Sequence, residues 1–169
     1  MHILVPVTGK EVVRAAVLTV SDRASAGAMT DESGPAVAKL LEGAGFEVAA
    51  VDIVPDDGAR IVAWLKARAQ AFDLLFTTGG TGLAARDVTP EATASVLDYE
   101  VPGLAELMRQ KGFEKTPMAM LSRSRAGVRG RALILNLPGS VAGATESLEA
   151  VLPLLEHAVN QLKGRTKHA

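Results

Sequence analysis

The chain has 169 residues, long enough for one domain with a sizeable core, and 48% of them are apolar. Its 18 basic and 19 acidic side chains give a net charge of −1, which excludes a strong overall attraction to nucleic acid or to an anionic membrane. Without cysteine, disulfides, thiolate metal sites and a cysteine nucleophile are excluded, and no apolar run approaches the ~20 residues of a membrane span. We therefore expect a soluble, cytoplasmic protein with no nucleic-acid or membrane partner.

The first half of the chain predicts three strands that alternate with two helices. Short runs rich in Val, Ile and Leu indicate strands at residues 15–21, 46–54 and 73–78, the first of them buried on both faces. Apolar side chains at helical spacing predict helices at residues 31–45 and 59–70. Because the connections are short, this β-α-β-α-β pattern favours a parallel sheet wound with helices.

The second half predicts three further helices and one more core strand. Thr89 as N-cap and Pro90 at the first helical position indicate a helix start, and Ser140 is expected to begin the closing helix, with a kink at Pro153. Residues 119–130 are basic and turn-rich, which predicts irregular structure with a short strand or hairpin. The other predicted elements are helices at 89–97, 101–112 and 140–164 and a strand at 131–139. Together, the predicted strands and helices indicate a single doubly wound α/β domain, in which helices flank a mostly parallel sheet.

Polar or glycine-rich residues follow each predicted core strand. In an open parallel sheet, ligands bind beyond the carboxyl ends of the strands, so these four segments are expected to meet at one edge. They are Ser21-Asp22-Arg23, Pro55-Asp56-Asp57, Gly79-Gly80-Thr81-Gly82 and Pro138-Gly139-Ser140.

The glycine segment allows several interpretations. Successive glycines permit positive φ and a close approach to bare backbone N–H groups, which suits an anion. Gly80-x-Gly82-x-x-Ala85 formally matches a dinucleotide fingerprint, but Pro90 would fall inside the helix that this requires. A Walker loop is excluded because no Lys-Ser or Lys-Thr follows, and a simple chain-reversing turn stays open.

Other residues near these strand ends have both structural and functional interpretations. Asp56 and Asp87 are turn formers or a pair of carboxylates that hold Mg²⁺ against a polyphosphate, while Asp57 is well placed to cap a helix. Ser140 either caps the last helix or belongs to a second anion site at its N-terminus. The arginines at 123, 125, 129 and 131 form a solvated face or neutralise phosphates.

Five segments of the chain carry a family resemblance: LTVSDRASAG, VPDD, TTGGTGLAARDVTPEAT, AMLSRSRAGVRG and LILNLPGS. In their order and spacing they resemble the molybdopterin adenylyltransferase family of molybdenum cofactor biosynthesis, which includes the N-terminal domain of gephyrin. The likeness spans about residues 15–164, which implies one molybdopterin-binding domain with the fold of that family. Residues 1–14 are then an N-terminal extension and residues 165–169 a C-terminal tail.

The resemblance implies that ATP adenylates the terminal phosphate of molybdopterin, giving adenylated molybdopterin and pyrophosphate, with Mg²⁺ required. Asp87 and Asp56 match acids of the family, and we expect both to be catalytic and to hold the metal. Ser140-Val141 stands where many relatives have Asn-Pro, which is a departure from the family pattern. The residues expected to bind nucleotide or molybdopterin are Ser21, Asp22, Gly79, Gly80, Thr81, Gly82, Ser122, Pro138, Gly139 and Ser140.

The resemblance also implies a homotrimer or a larger homo-oligomer. Some relatives keep the fold without adenylylation, and in those the pattern typically breaks at the acids. Because this chain retains Asp56 and Asp87, an active enzyme is favoured over a silent molybdopterin-binding or scaffold protein.

Overall fold

The computed structural model describes residues 11–165 and places six strands of this part of the chain in one sheet. In chain order they are β1 (Arg14–Val20), β2 (Glu47–Val54), β3 (Leu74–Thr78), β4 (Tyr99–Glu100), β5 (Ala126–Arg129) and β6 (Ala132–Leu137). Their spatial order is β2-β1-β3-β6-β5-β4; the first four are parallel, and β5 is antiparallel to both of its neighbours. The prediction of a mostly parallel sheet is confirmed. Residues 1–10 of the expected extension and 166–169 of the expected tail lie outside the described residues.

Helices cover both faces of the sheet. In the described part of the chain they are α1 (Asp22–Ser25), α2 (Ser33–Gly43), α3 (Gly58–Ala69), α4 (Thr89–Val96), α5 (Pro102–Phe113) and α6 (Val141–Leu162), with a 3-10 helix at Pro117–Leu121. One buried cluster holds apolar side chains of α2, α5 and α6, and a second holds those of α3 and α4. The domain is therefore doubly wound, as predicted.

Strand β1 shows why the core strands are predominantly apolar. Val17 belongs to the cluster under α2, α5 and α6, whereas Ala16 and Leu18 belong to the cluster under α3 and α4. All three side chains are fully buried, since successive side chains of a strand point to opposite faces. A sheet covered on both sides needs apolar residues at both sets of positions.

Two short elements escaped the sequence patterns. Helix α1 has four residues and β4 has two, which is too short for either periodicity to develop. The short strand expected within residues 119–130 is present as β5, which pairs with the predicted core strand β6 in a hairpin that turns at Gly130 with φ of 58°.

The start of α4 differs from the prediction that Thr89 is its N-cap. Thr89 is the first helical residue, and Val88, in the cap position, makes no side-chain cap hydrogen bond. The hydroxyl of Thr89 instead donates to the carbonyl oxygen of Gly79 at 3.0 Å. This buried threonine therefore ties α4 to the end of β3.

The closing helix begins as predicted. The Ser140 hydroxyl accepts a hydrogen bond from the Gly143 N–H at 3.0 Å, and Pro153 lies inside the helix. In residues 11–165, no helix is both long enough and apolar enough to cross a membrane.

Candidate active site

A cleft of about 630 Å³ lies at the carboxyl ends of the parallel strands. It is lined by residues that follow β1, β2, β3 and β6, so the four predicted segments do meet at one edge. The predicted site residues among its lining are Ser21, Asp56, Gly79, Gly80, Asp87, Gly139 and Ser140.

The glycines let three strand ends approach one another closely. Gly79 has φ of 95°, and a Cβ added there would lie 2.4 Å from the Val20 carbonyl oxygen. A Cβ added at Gly139 would lie 3.2 Å from the Gly79 Cα. Gly80 has φ of 68°, and its added Cβ would meet the Thr89 hydroxyl at 2.3 Å. Side chains at these positions would collide with neighbouring backbone or hydroxyl groups, so glycine allows this close packing. Gly79, Gly80 and Gly139 therefore line the cleft with backbone alone.

Asp22 and Asp56 bind each other's backbone. The Asp22 N–H donates to Asp56 Oδ2 at 3.0 Å, and the Asp56 N–H donates to Asp22 Oδ1 at 2.9 Å. Arg86 also forms an ion pair with Asp22 Oδ2 at 2.7 Å. This pairing joins the ends of β1 and β2 and fixes the Asp56 carboxylate at the cleft.

The pKa of Asp56 is raised above its ordinary value, chiefly because burial disfavours the charged carboxylate. The hydrogen bond from the Asp22 N–H and the charge of Arg86 act in the opposite direction, while the carboxylates of Asp22 and Asp87 raise it further. Crowded carboxylates of this kind favour the binding of a cation.

Asp56→Asn is expected to raise the free energy of unfolding at neutral pH in the absence of divalent metal. The pKa of Asp56 is higher in the folded protein than in the unfolded chain, so wild-type stability falls as pH rises through the interval between them. The destabilisation caused by the charged Asp56 carboxylate is complete at pH values above the raised pKa. It is absent at pH values well below 3.8, the ordinary pKa of an aspartate. Urea unfolding of both proteins across this pH interval tests this, and a stability difference independent of pH would contradict it.

Asp87 reaches the cleft from an exposed loop between β3 and α4. Its Oδ2 accepts a hydrogen bond from the Ala84 N–H at 3.0 Å, and its own N–H donates to the Ala84 carbonyl oxygen at 2.9 Å. A Cβ added at Gly82 would lie 2.9 Å from Asp87 Oδ2, so the carboxylate folds back over this glycine. Asp56 and Asp87 therefore line the same cleft from different strand ends.

The remaining predicted residues lie beside the cleft or away from it. Asp22, Thr81, Gly82 and Pro138 adjoin residues that line it but are not themselves part of its lining. Ser122 lies in a second cavity of about 380 Å³, together with Arg109, Arg125 and other residues. The structure thus brings seven of the twelve predicted site residues together in one cleft and places Ser122 in a separate cavity.

Three of the four clustered arginines are already paired within the chain. Arg125 forms an ion pair with Glu100 at 2.5 Å, and Arg129 donates to the Val96 carbonyl oxygen at 2.9 Å. Arg123 pairs with Glu91 and donates to two loop carbonyl groups. Their guanidinium groups hold together parts of the folded chain. None of the four arginines is among the residues that line the large cleft.

Sequence reasoning missed a hydroxyl network along another wall of the cleft. The Thr19 hydroxyl donates to Asp31 Oδ2 at 2.8 Å, and the hydroxyls of Ser33 and Thr78 lie 2.8 Å apart. Asp31 Oδ1 accepts from the Gly34 N–H at 3.1 Å, so it closes the turn that begins α2. The spacing Asp31-x-x-Gly34 is a turn signal that could have located Asp31, but its contact with β1 depends on the tertiary fold.

The donors at the cleft suit a hydrated cation held against a phosphate. Within residues 11–165, no three His, Cys, Asp or Glu side chains are grouped so that they would enclose a metal by themselves. Mg²⁺ commonly uses only one or two carboxylates and completes its coordination with water and phosphate oxygens. The Asp56 and Asp87 carboxylates, both facing one cleft, fit that requirement.

Comparison with known proteins gives consistent results. A family model described as "Probable molybdopterin binding domain" matches residues 16–157. The chain is 42% identical over 155 residues to a molybdopterin adenylyltransferase of Helicobacter pylori J99, covering 88% of this chain and 86% of that protein. It is 43% identical over 143 residues to the molybdopterin adenylyltransferase of Escherichia coli K12, covering 82% and 73%. The crystal structure of the molybdopterin biosynthesis enzyme MoaB from Thermus thermophilus has a TM-score of 0.84 at 56% identity, covering 90% of this chain and 97% of that chain.

Proposed function

Because the chain belongs to the family of molybdopterin-binding domains of molybdenum cofactor biosynthesis, we propose that it is a molybdopterin adenylyltransferase. The observation that carries this proposal is the 42–43% identity to two proteins of that name over more than four fifths of the chain. The cleft supports it, since glycine backbone and two carboxylates line one space large enough for a nucleotide.

In the proposed reaction, an oxygen of the molybdopterin phosphate attacks the α-phosphorus of ATP. The new bond joins that oxygen to the α-phosphorus, the bond from the α-phosphorus to the bridging oxygen breaks, and pyrophosphate leaves with the electron pair. The attacking phosphate is already ionised near neutral pH, so a strong base is not required. Both reactants are polyanions, and catalysis therefore depends mainly on positioning and charge neutralisation.

We assign phosphate binding to the glycine-lined wall. Gly79 and Gly80 present bare backbone, and Thr81 and Gly82 continue the same loop. Directly beside Gly79, Gly139 and Ser140 precede the N-terminus of α6, whose 22 residues give a substantial helix dipole. Ser21, Asp22 and Pro138 then shape the surrounding strand ends, and we assign Ser122, which lines the second cavity, to molybdopterin binding.

We assign the Mg²⁺ that accompanies ATP to Asp56 and Asp87. When bound, the ion would neutralise charge that develops on the triphosphate. Asp22 and Arg86 hold Asp56 in place, and the Ala84 N–H orients the Asp87 carboxylate. The two aspartates approach from separate strand ends, which allows both to face one phosphate group.

Pyrophosphate release tests the reaction. Purified protein should release one pyrophosphate for each molybdopterin adenylated in the presence of ATP and Mg²⁺, and mass spectrometry should detect the adenylated product. Omission of molybdopterin should abolish release. Binding of molybdopterin with no release above a control lacking protein would instead identify a silent binding protein.

We also propose that the protein forms a homotrimer or larger homo-oligomer. Strand β2 is an edge of the sheet in the described part of the chain, and Val51 and Ile53 on it are each 43% exposed. Exposed apolar side chains on an edge strand are commonly covered by another subunit. Light scattering after size-exclusion chromatography measures the mass directly, and a monomer at micromolar concentration would reject this assembly.

A further inference from the structure

Arg123 connects the segment before β5 to the loop that carries Asp87. Its backbone N–H donates to the Thr81 carbonyl oxygen at 2.9 Å. Its side chain donates from Nε to the Gly82 carbonyl oxygen at 2.8 Å and from Nη2 to the Asp87 carbonyl oxygen at 2.7 Å. One residue thus contacts the chain just before the loop and both of its ends. We call residues 82–87 the Asp87 loop.

The Asp87 loop has little packing of its own. Leu83, Ala84, Ala85 and Arg86 are all exposed, and Leu83 is 67% exposed. Inside the loop, Ala84 and Asp87 exchange the two hydrogen bonds described above. Exposed loops with few buried contacts open most readily, so the order of this loop depends on its hydrogen bonds. The planar guanidinium group fixes the spacing between Gly82 and Asp87, which a lysine ammonium group cannot do.

The surroundings hold Arg123 itself in place. Its Nη1 pairs with Glu91, in the first turn of α4. Although some burial raises the pKa of Glu91, the hydrogen bond from Arg123 and other interactions lower it overall, so Glu91 is ionised at neutral pH. From the other side, Arg109 donates to the Ser124 carbonyl oxygen at 2.9 Å and braces the segment that carries Arg123.

We propose that Arg123 is a positioning residue that sets the location of the Asp87 carboxylate in the cleft. Its guanidinium group donates to the backbone carbonyl oxygen of Asp87, so the Asp87 carboxylate stays available to bind a ligand. It also links the second cavity, which Arg123 and Ser122 both line, to the large cleft. The kinetic part of this inference rests on the proposed adenylyl transfer, whereas its effect on the loop does not.

Hydrogen exchange tests the loop without any substrate. In Arg123→Gln, the amides of Ala84 and Asp87 should exchange about tenfold faster or more than in the wild type, which corresponds to a lost hydrogen-bonded brace. Arg129→Gln is the matched control, because it also removes a guanidinium bond to a backbone carbonyl, at the other end of α4. Its effect on these two amides should be negligible.

A double-mutant cycle tests the effect on turnover. Arg123→Gln should lower kcat by about tenfold to a hundredfold with a smaller change in KM, since small misplacements of a catalytic group have effects of this size. In an Asp87→Asn background the same substitution should change kcat by less than about threefold, because the group that it positions is already absent. Arg123→Lys should recover only part of the kcat that Arg123→Gln loses.

The outcomes separate this inference from the proposed function. A wild type that releases no pyrophosphate rejects adenylyl transfer, but hydrogen exchange still decides whether Arg123 orders the loop. Unchanged exchange in Arg123→Gln overturns the inference regardless of activity. The inference is also overturned if exchange is faster but Arg123→Gln lowers kcat by the same factor in the wild type and in Asp87→Asn. Arg123 would then act on turnover independently of Asp87.

Discussion

Asp87→Asn is expected to lower turnover by about a hundredfold or more while leaving the fold intact, the scale for losing one electrostatic partner of a transition state. The Asp87 carboxylate lines the cleft and accepts a hydrogen bond from the Ala84 N–H. The asparagine carbonyl can accept the same bond, so the loop should keep its shape. Asparagine cannot supply the negative charge that we assign to Mg²⁺ binding, which is why the loss should appear in turnover.

Asp57→Asn provides the control for this substitution. Asp57 is also a loop carboxylate and follows Asp56 directly, but it caps α3 by accepting the Arg60 N–H at 3.2 Å and does not line the cleft. Asparagine is an equally good N-cap, so turnover and stability should stay near those of the wild type. Pyrophosphate release and urea unfolding measure both quantities. Turnover of Asp87→Asn within about threefold of the wild type would remove Asp87 from the mechanism.

The fold was largely predictable because strands β1, β3 and β6, inside the sheet, are buried on both faces. The apolar run at residues 15–20 predicts a strand covered on both faces, and the helix predicted between each pair of successive strands favours parallel pairing. The polar residues at the strand ends were equally visible in the sequence. Their convergence at one edge followed from parallel pairing alone, without knowledge of any side-chain contact.

The partners of the polar residues could not be predicted in the same way. The sequence places Arg123 in a basic cluster, which is typical of both a solvated face and an anion site. Its contacts with Gly82 and Asp87 join positions 36 or more residues apart, and only the tertiary fold brings them together. The prediction for Thr89 was wrong for a similar reason, since its hydroxyl has a better partner at Gly79 than at the helix N-terminus.

Gly79→Ala is expected to lower the free energy of unfolding by about 3 kcal/mol or more, the upper part of the range for single substitutions. The positive φ of Gly79 alone costs an alanine roughly 1–2 kcal/mol. The added Cβ would also lie 2.4 Å from the Val20 carbonyl oxygen, which belongs to strand backbone and cannot rotate away. Urea unfolding at constant m-value measures the change.

The control is Gly103→Ala on α5, where an added Cβ meets nothing within 4 Å. That substitution should be neutral or stabilise the protein by up to about 1 kcal/mol, since alanine is the better helix former. Equal stability of the Gly79 and Gly103 variants would contradict the tight strand-end packing. Because Gly79 also lies against Gly139, displacement of its backbone should move both proposed phosphate-binding segments. Gly79→Ala is therefore expected to weaken ATP binding measured by calorimetry, an effect that Gly103→Ala should not share.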